Sequence, residues 1–332
     1  MEKILTIAVP MYNVEHYIRQ CLDSFLIDDG IEALEVLIIN DGTLDSSAQI
    51  AQEYVDRYPS VYRLISKKNG GHGSAVNLGI SEAKGKYFKV VDGDDWLDPA
   101  GLKKLICTLS NSNSDIVASN YYWVFDGTNK MKKEIDRPFR GVEYEKEYKF
   151  IYICNDLYIK MHSMTIRTQL LQEYHVCLDE NCFYVDTEYI IYPIPYVKTV
   201  TFLEECVYRY RVGLSEQSVN IYKMRERCEQ HEHVLNQLIH FYEMRKSQDP
   251  QPILRYLERG IARMVSSQVK IYLSYPASTV YRKKIRELDQ KLYSDYPGIY
   301  SAMQNRFVWL LRFSGYRLYP IASYILRIKN NI

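Results

Sequence analysis

Over the first hundred residues, solid apolar runs alternate with stretches in which apolar positions recur every three or four residues. The run "ILTIAVP" ends at Pro10, and "VEHYIRQCLDSFL" then sets Val14, Ile18, Cys21, Leu22 and Phe25 on one helical face. "EVLIIN" is a second run, followed by the helical pattern of "SSAQIAQEYVDRY", with "DSS" able to cap it. "VYRLIS", "GSAVNLGISEA" and "YFKVV" continue the series. Short, uniformly apolar strands separated by amphipathic helices predict βαβ units and a parallel sheet flanked on both faces. This is an α/β arrangement of nucleotide-binding type.

Beyond "DGDDWLDP" the pattern predicts a helix, a strand or pair of strands in "SDIVASNYYWVF", and a charged stretch at 126–149. A helix over "TIRTQLLQEY", an acidic patch in "YVDTEYI" and a strand over "TVTFLEECVYRYRV" follow. From Ile221 the character changes. Ile221, Met224, Cys228, Leu235, Leu238, Ile239 and Tyr242 recur at helical spacing, as do positions around 253–273 and 280–293. We therefore expect an α/β domain over 1–215 and a helical region over 216–332.

The length of 332 residues suits about two domains, and 47% hydrophobic residues suffice for a core. Forty-two basic residues nearly cancel 41 acidic ones, so no overall field points to nucleic acid and charge must act locally. The seven cysteines are scattered and never in CxxC spacing, which argues against a zinc or redox site and for reduced thiols in a cytoplasmic protein. "MEKILTIAVPMYN" reads as a strand rather than a signal peptide, and no window approaches the ~18 apolar residues of a membrane span.

In open α/β sheets, ligands bind beyond the carboxyl ends of the strands. Those ends are "PMYN" (10–13), "NDGT" (40–43), "KKNGGHGSAVNLG" (67–79) and "DGDDW" (92–96), each polar, glycine-bearing or both. Asp92 and Asp94 flank a glycine that permits a turn, so both carboxylates can face one hard divalent cation, Mn²⁺ or Mg²⁺, with phosphate oxygens completing its shell. The bland alternative is a surface turn in which Asp95 or Asp98 caps the helix at Pro99. Asp41 can accept a hydrogen bond from a base or form an Asx turn beside Gly42. "GGHGSAVNLG" has Val76 where a dinucleotide fingerprint needs its third glycine, so it reads as a glycine turn before a helix.

Taken together, "TIAVPMYN", "VLIINDGTLDSS", "NGGHGSAVNLGISEAKGKYFKVVDGDDWLDP" and "YVDTEYI" resemble the inverting bacterial GT-A glycosyltransferases of family 2. The resemblance is specific over about 3–100, weaker to about 219 and absent beyond. It implies a GT-A sheet flanked by helices and transfer of a sugar from a nucleotide-diphosphate sugar, a UDP-sugar, to a hydroxyl of a glycan or lipid-linked acceptor in cell-surface polysaccharide synthesis. It also assigns residues: Pro10, Tyr12 and Asp41 to the base, Asp92 to ribose and metal, Asp94 to the metal and Asp186 to the catalytic base. Here Thr43 stands for the usual serine, Asn40 for a frequent second acid and Val185 for the glutamate before the base. Glu188 is the rival base. His162 is a candidate for acceptor or phosphate, and Arg209, Arg211, Gln217 and Ser218 for a loop closing over the diphosphate. The competing readings are a sugar nucleotidyltransferase and a non-catalytic protein that keeps the fold to bind a sugar or partner.

From Tyr296 to Ile332 there is no acidic residue, while Arg306, Arg312, Arg317, Arg327 and Lys329 lie among aromatics and aliphatics. Such a segment suits peripheral contact with the inner face of the plasma membrane, or packing on the protein or a second subunit.

Overall fold

The computed structural model describes residues 2–329 apart from 129, 134–138, 140, 215, 216 and 219. The chain divides into two compact units, Met1–Leu214 and Ser215–Ile332.

In the first unit, β1 (Leu5–Met11), α1 (Ile18–Asp23), β2 (Leu34–Asn40), α2 (Ser47–Arg57), β3 (Tyr62–Ser66), α3 (Gly71–Glu82) and β4 (Tyr87–Val90) alternate as the apolar runs predict. The four strands pair in parallel in the order β3-β2-β1-β4. Side chains alternate across the pleat, so β1 sends Leu5, Ile7 and Val9 into a core with Ile18, Leu22 and Tyr54 of α1 and α2, while Leu37 and Ile39 of β2 meet Ala75 of α3 on the opposite face. Gly79 lets α3 lie close on the sheet: a Cβ there would stand 2.8 Å from the Ala8 Cβ.

The chain then continues through β5 (Trp96–Leu97), α4 (Pro99–Asn111), β6 (Ile116–Phe125), β7 (Lys130–Lys133), β8 (Glu147–Lys149), α5 (Phe150–Ile153), β9 (Met164–Arg167), α6 (Thr168–Glu173), α7 (Asp186–Ile191) and β10 (Thr199–Val212). Asp98 caps α4, accepting from the Gly101 N–H at 2.8 Å, with Pro99 at its first position. Here the structure departs from an all-parallel sheet. β9 runs antiparallel to both β4 and β6, joining the nucleotide-binding type of half to a parallel β6–β10 pair. The helix expected over 165–174 accordingly begins only at Thr168. Met164, Thr165 and Ile166 are buried in the gap between β4 and β6, where β-branched residues suit a strand and tertiary pairing overrides the local pattern. The register of β10 on β6 shifts between Leu203 and Tyr208, bulges that set the strand's second half, Tyr208–Val212, beside the acidic turn after β4.

The second unit is helical: α8 (Ile221–Glu226), α9 (Cys228–Arg245), α10 (Gln251–Ser274), α11 (Thr279–Asp295), α12 (Pro297–Ala302), α13 (Arg306–Phe313) and α14 (Tyr319–Lys329). α10 is buried on most sides, from Ile253 to Ser274, and packs against α9, α11, α12 and α14. Its buried polar groups are matched: the Tyr242 hydroxyl donates to Glu258 at 2.6 Å, and Gln268 lies 2.5 Å from the His231 ring nitrogen. Among the described residues no helix is long and apolar enough to cross a membrane.

Candidate active site

The carboxyl ends of β1, β2 and β4 meet the opening of α3. At β1, Pro10 is half-buried and Tyr12 is 45% exposed, leaving its ring available. At β2, Asp41 is almost wholly buried. Its two oxygens accept from Lys67 Nζ at 2.8 Å and from the Gly70 and Gly71 N–H groups at 2.9 and 2.8 Å. In this arrangement Asp41 ties the second strand end to the glycine turn, and Gly71 adopts the left-handed φ of 83° that the turn requires.

That turn delivers His72, on the first turn of α3, to the end of β4. His72 Nε2 lies 2.8 Å from Asp92 Oδ1. Burial pushes the Asp92 carboxyl up, but the His72 cation beside it prevails and holds it below the ordinary carboxylate range. In turn, Asp92 with Asp186 and Asp94 raises His72 against the desolvation that would lower it. Among the described residues Asp94 has no such partner: burial, and then the charge of Asp92, push it up to about 6. Asp95, deeper still, is raised well above its usual value by burial and by Asp94 and Asp92, while accepting from the Tyr208 hydroxyl at 2.6 Å and the Arg211 N–H at 2.7 Å.

Donor atoms of Asp92, Asp95 and His162 lie within 4.8 Å of one another, a group suited to a metal ion. Geometry thus gathers Asp95 and His162 around Asp92, with Asp94 alongside. Two carboxylates and an imidazole form an oxygen-rich set that fits Mn²⁺ or Mg²⁺, and the crowding that raises the Asp94 carboxyl to about 6 is what a divalent cation relieves. The His162 ring packs against Tyr121, Tyr208 and Tyr210, with centroids 5.1, 4.8 and 4.3 Å away. Beneath it, fully buried Lys89 donates to the His162 carbonyl at 2.8 Å and to that of Met164 at 3.2 Å, and burial lowers its ammonium to about 7.

Arg211 clasps the acidic turn from β10. Its guanidinium donates to the Asp94 carbonyl (2.8 Å), Asp126 (3.0 Å) and Gln20 (2.6 Å), between the rings of Tyr17 and Trp96 at 4.7 and 4.8 Å. Arg209 is placed elsewhere. It pairs with Asp98 at 2.7 Å, stacks over Tyr122 and lines a separate cleft of about 470 Å³ with Lys104 and Glu204. Gln217 and Ser218 fall past the division and belong to the second unit.

Asp186 is the first residue of α7, whose cap position is Val185, so it does not serve as an N-cap. Its side chain keeps contact with solvent inside a recess. Desolvation pushes its carboxyl up to about 6, with His72 opposing and Asp92 adding to the rise. Glu188, by contrast, is fully buried, accepts from the Asp179 N–H at 2.8 Å and is pushed up to about 7 by burial. It braces the 177–181 loop, which Asn77 of α3 also grips through both polar groups of Leu178, at 2.8 Å each. Gly73 is what lets that loop pass: a Cβ there would stand 2.1 Å from the Asp179 carbonyl oxygen.

The acids at the strand ends are visible in the linear pattern. His72, Asp95 as a member of the donor set, Lys89 and Tyr208 are not. The one available signal is a histidine set between two glycines at the opening of the helix that follows β3.

A sheet with acids, a glycine turn and a recessed carboxylate at its strand ends defines a nucleotide-sugar transferase type of fold. The glycosyl transferase family 2 sequence model matches residues 6–174, just over half of the chain, and the chain belongs to that family. It is 31% identical over 222 residues to the glycosyltransferase EpsJ of Bacillus subtilis (strain 168), covering 64% of this chain and 62% of EpsJ, so it spans less than two thirds of that relative's length. The structure of S. aureus TarS 1-349 in complex with UDP-GlcNAc aligns over 98% of this chain and 89% of its own at a TM-score of 0.57 and 16% identity. The mannosyltransferase PcManGT from Pyrobaculum calidifontis, in complex with GDP-Man and Mn²⁺, aligns over 99% and 88% at 0.55 and 13%. At these identities the two structures establish the shared GT-A fold.

Proposed function

We propose that the chain transfers a sugar from a nucleotide-diphosphate sugar, a UDP-sugar, to a hydroxyl of a glycan or lipid-linked acceptor with inversion at the anomeric carbon, within cell-surface polysaccharide synthesis. The observation that carries this reading is the convergence of Asp92, Asp94, Asp95, His72, His162 and Asp186 at the strand ends, where acids crowd beyond what His72 alone neutralises.

Asp186 is the base. It is the only one of the two rival carboxylates that keeps contact with solvent, and a carboxyl near 6 is ionised at neutral pH yet basic enough to take a hydroxyl proton as the oxygen attacks. Glu188, sealed under the 177–181 loop, holds that loop in place. Asp92, Asp95 and His162, with Asp94 beside them, would hold Mn²⁺ or Mg²⁺. Bound there, the ion supplies the positive charge that stabilises a leaving diphosphate. Arg211 keeps the acidic turn in shape from behind, and Pro10 and Tyr12 offer an apolar and aromatic edge to the base.

The test is donor turnover in two variants. Asp186→Asn should lower transfer by roughly 10²–10⁴-fold while leaving nucleotide-sugar affinity intact. Asp92→Asn should abolish the metal-dependent part of donor binding. Full transfer activity in Asp186→Asn would overturn the assignment of the base.

A further inference from the structure

α14 is a surface helix with two apolar faces. Its inward positions Tyr319, Ala322, Ser323 and Leu326 are buried. Its outward positions Ile321, Tyr324, Ile325 and Ile328 are 53%, 65%, 46% and 58% exposed, and none is charged. A surface helix ordinarily turns polar residues outward, so this face lacks a cover. α13 repeats the arrangement: Val308 and Leu311 are buried, while Trp309 and Phe313 stand 64% and 77% exposed with their rings stacked at 5.3 Å.

The helices are fixed, not loosely attached. Arg312 donates to both oxygens of Asp289 on α11 and lies 3.5 Å over the Tyr300 ring, and the Tyr316 hydroxyl also donates to Asp289. The exposed rings are therefore held outward by a rigid support.

Charge identifies what covers them. Residues 279–332 hold ten Lys and Arg against three Asp and Glu, a balance of +7 in a chain whose total is +1. Arg312 and Asp289 pair with and cancel each other, which leaves that balance unchanged. Arg306 and Arg317, at the start of α13 and in the turn before α14, are exposed. A basic surface that also presents tryptophan, phenylalanine, tyrosine and isoleucine matches an anionic lipid surface, which offers negative headgroups and an apolar layer within a few ångströms of each other. Nucleic acid would use the charge but not the isoleucines.

We propose that α13 and α14 form a docking face for an anionic lipid bilayer, with Trp309, Phe313, Tyr324, Ile325 and Ile328 entering the headgroup boundary and the exposed Arg306 and Arg317, which flank them in the chain, meeting the lipid charge. The proposal is independent of the transfer reaction, and its test reads no activity.

The full chain is sedimented with vesicles of phosphatidylcholine and phosphatidylglycerol at 3:1 and with phosphatidylcholine alone. Binding to the anionic vesicles is expected, weakening at least about tenfold between 0.1 and 0.5 M salt. The Phe313→Ser/Ile325→Ser variant should bind at least tenfold more weakly at an unchanged Tm, since burial of one such side chain is worth about a factor of ten. Trp309 emission, isolated by difference against Trp309→Phe, should shift to the blue on vesicles. Absence of vesicle binding, equal binding to neutral vesicles, or undiminished binding in a folded double variant would overturn the proposal. So would self-association without vesicle affinity that the double variant abolishes, because the face would then join copies of this chain. If the double variant does not fold, lipid charge and salt still decide with the native chain.

Discussion

Charge balance at the site turns on individual carboxyls. Asp92 is ionised because His72 stands beside it, Asp94 keeps its proton to about 6 because burial and Asp92 oppose its charge, and Asp186 titrates at about 6 in its recess. A base must be ionised to act, so kcat/KM should rise with pH through about 6 and level off above 7, and a pH profile of donor turnover checks this. A flat profile from pH 5 to 8 would contradict the role of Asp186. Glu188 gives a prediction about stability. Its folded pKa of about 7 lies above the unfolded value near 4.5, so the native state binds the extra proton and stability falls as pH rises through that window. Glu188→Gln should remove this fall. Because a tenfold difference in proton affinity is worth about 1.4 kcal/mol, the variant should be more stable by roughly 1–3 kcal/mol at pH 8. Urea unfolding at pH 5 and 8 measures both. At this scale the sequence reading reached Asp92, Asp94 and Asp186 because each follows a recognisable apolar run or motif. It missed His72 and Tyr208, since what brings them to Asp92 is the packing of α3 and β10, 20 and 116 residues away in the chain.

Elements fix the geometry in which those charges act. The glycine turn and α3 are held from one side by Asp41 and from the other by the 177–181 loop, which crosses α3 at Gly73. Gly73→Ala must push that loop's backbone aside. We expect a loss of roughly 1–3 kcal/mol and weaker donor binding, read by thermal unfolding and by titration with a nucleoside diphosphate. β10 matters comparably through Arg211. Replacing it with methionine leaves Asp126 and the Asp94 carbonyl without their donor and should cost roughly 2–4 kcal/mol, with loosened metal affinity as the second readout. The helical pattern, the βαβ series and the long strand at 199–212 were all legible, since local periodicity reports them. β9 was not, because residues 164–167 become a strand only by being caught between β4 and β6.

As a whole, the chain divides into a unit at Met1–Leu214, which holds the family 2 glycosyltransferase match, and a helical unit at Ser215–Ile332. The order of strand ends along the first unit made the site's location readable without pairing information: in a sheet of this kind the carboxyl ends converge, and here each carries polar residues. Neither the linked pair β6–β10 nor the doubly apolar α14 was visible in the same way, since both depend on which face each residue turns to its neighbours. The central claim is that the acids after β4 hold a divalent cation that in turn holds the diphosphate of a nucleotide-sugar. Calorimetric titration of UDP and UDP-GlcNAc with and without Mn²⁺ tests it most directly, with Asp92→Asn and Asp95→Asn as controls. The account predicts at least tenfold tighter nucleotide binding with the metal and loss of that gain in both variants. Equal affinity with and without Mn²⁺ or Mg²⁺ across UDP- and GDP-linked donors would contradict it.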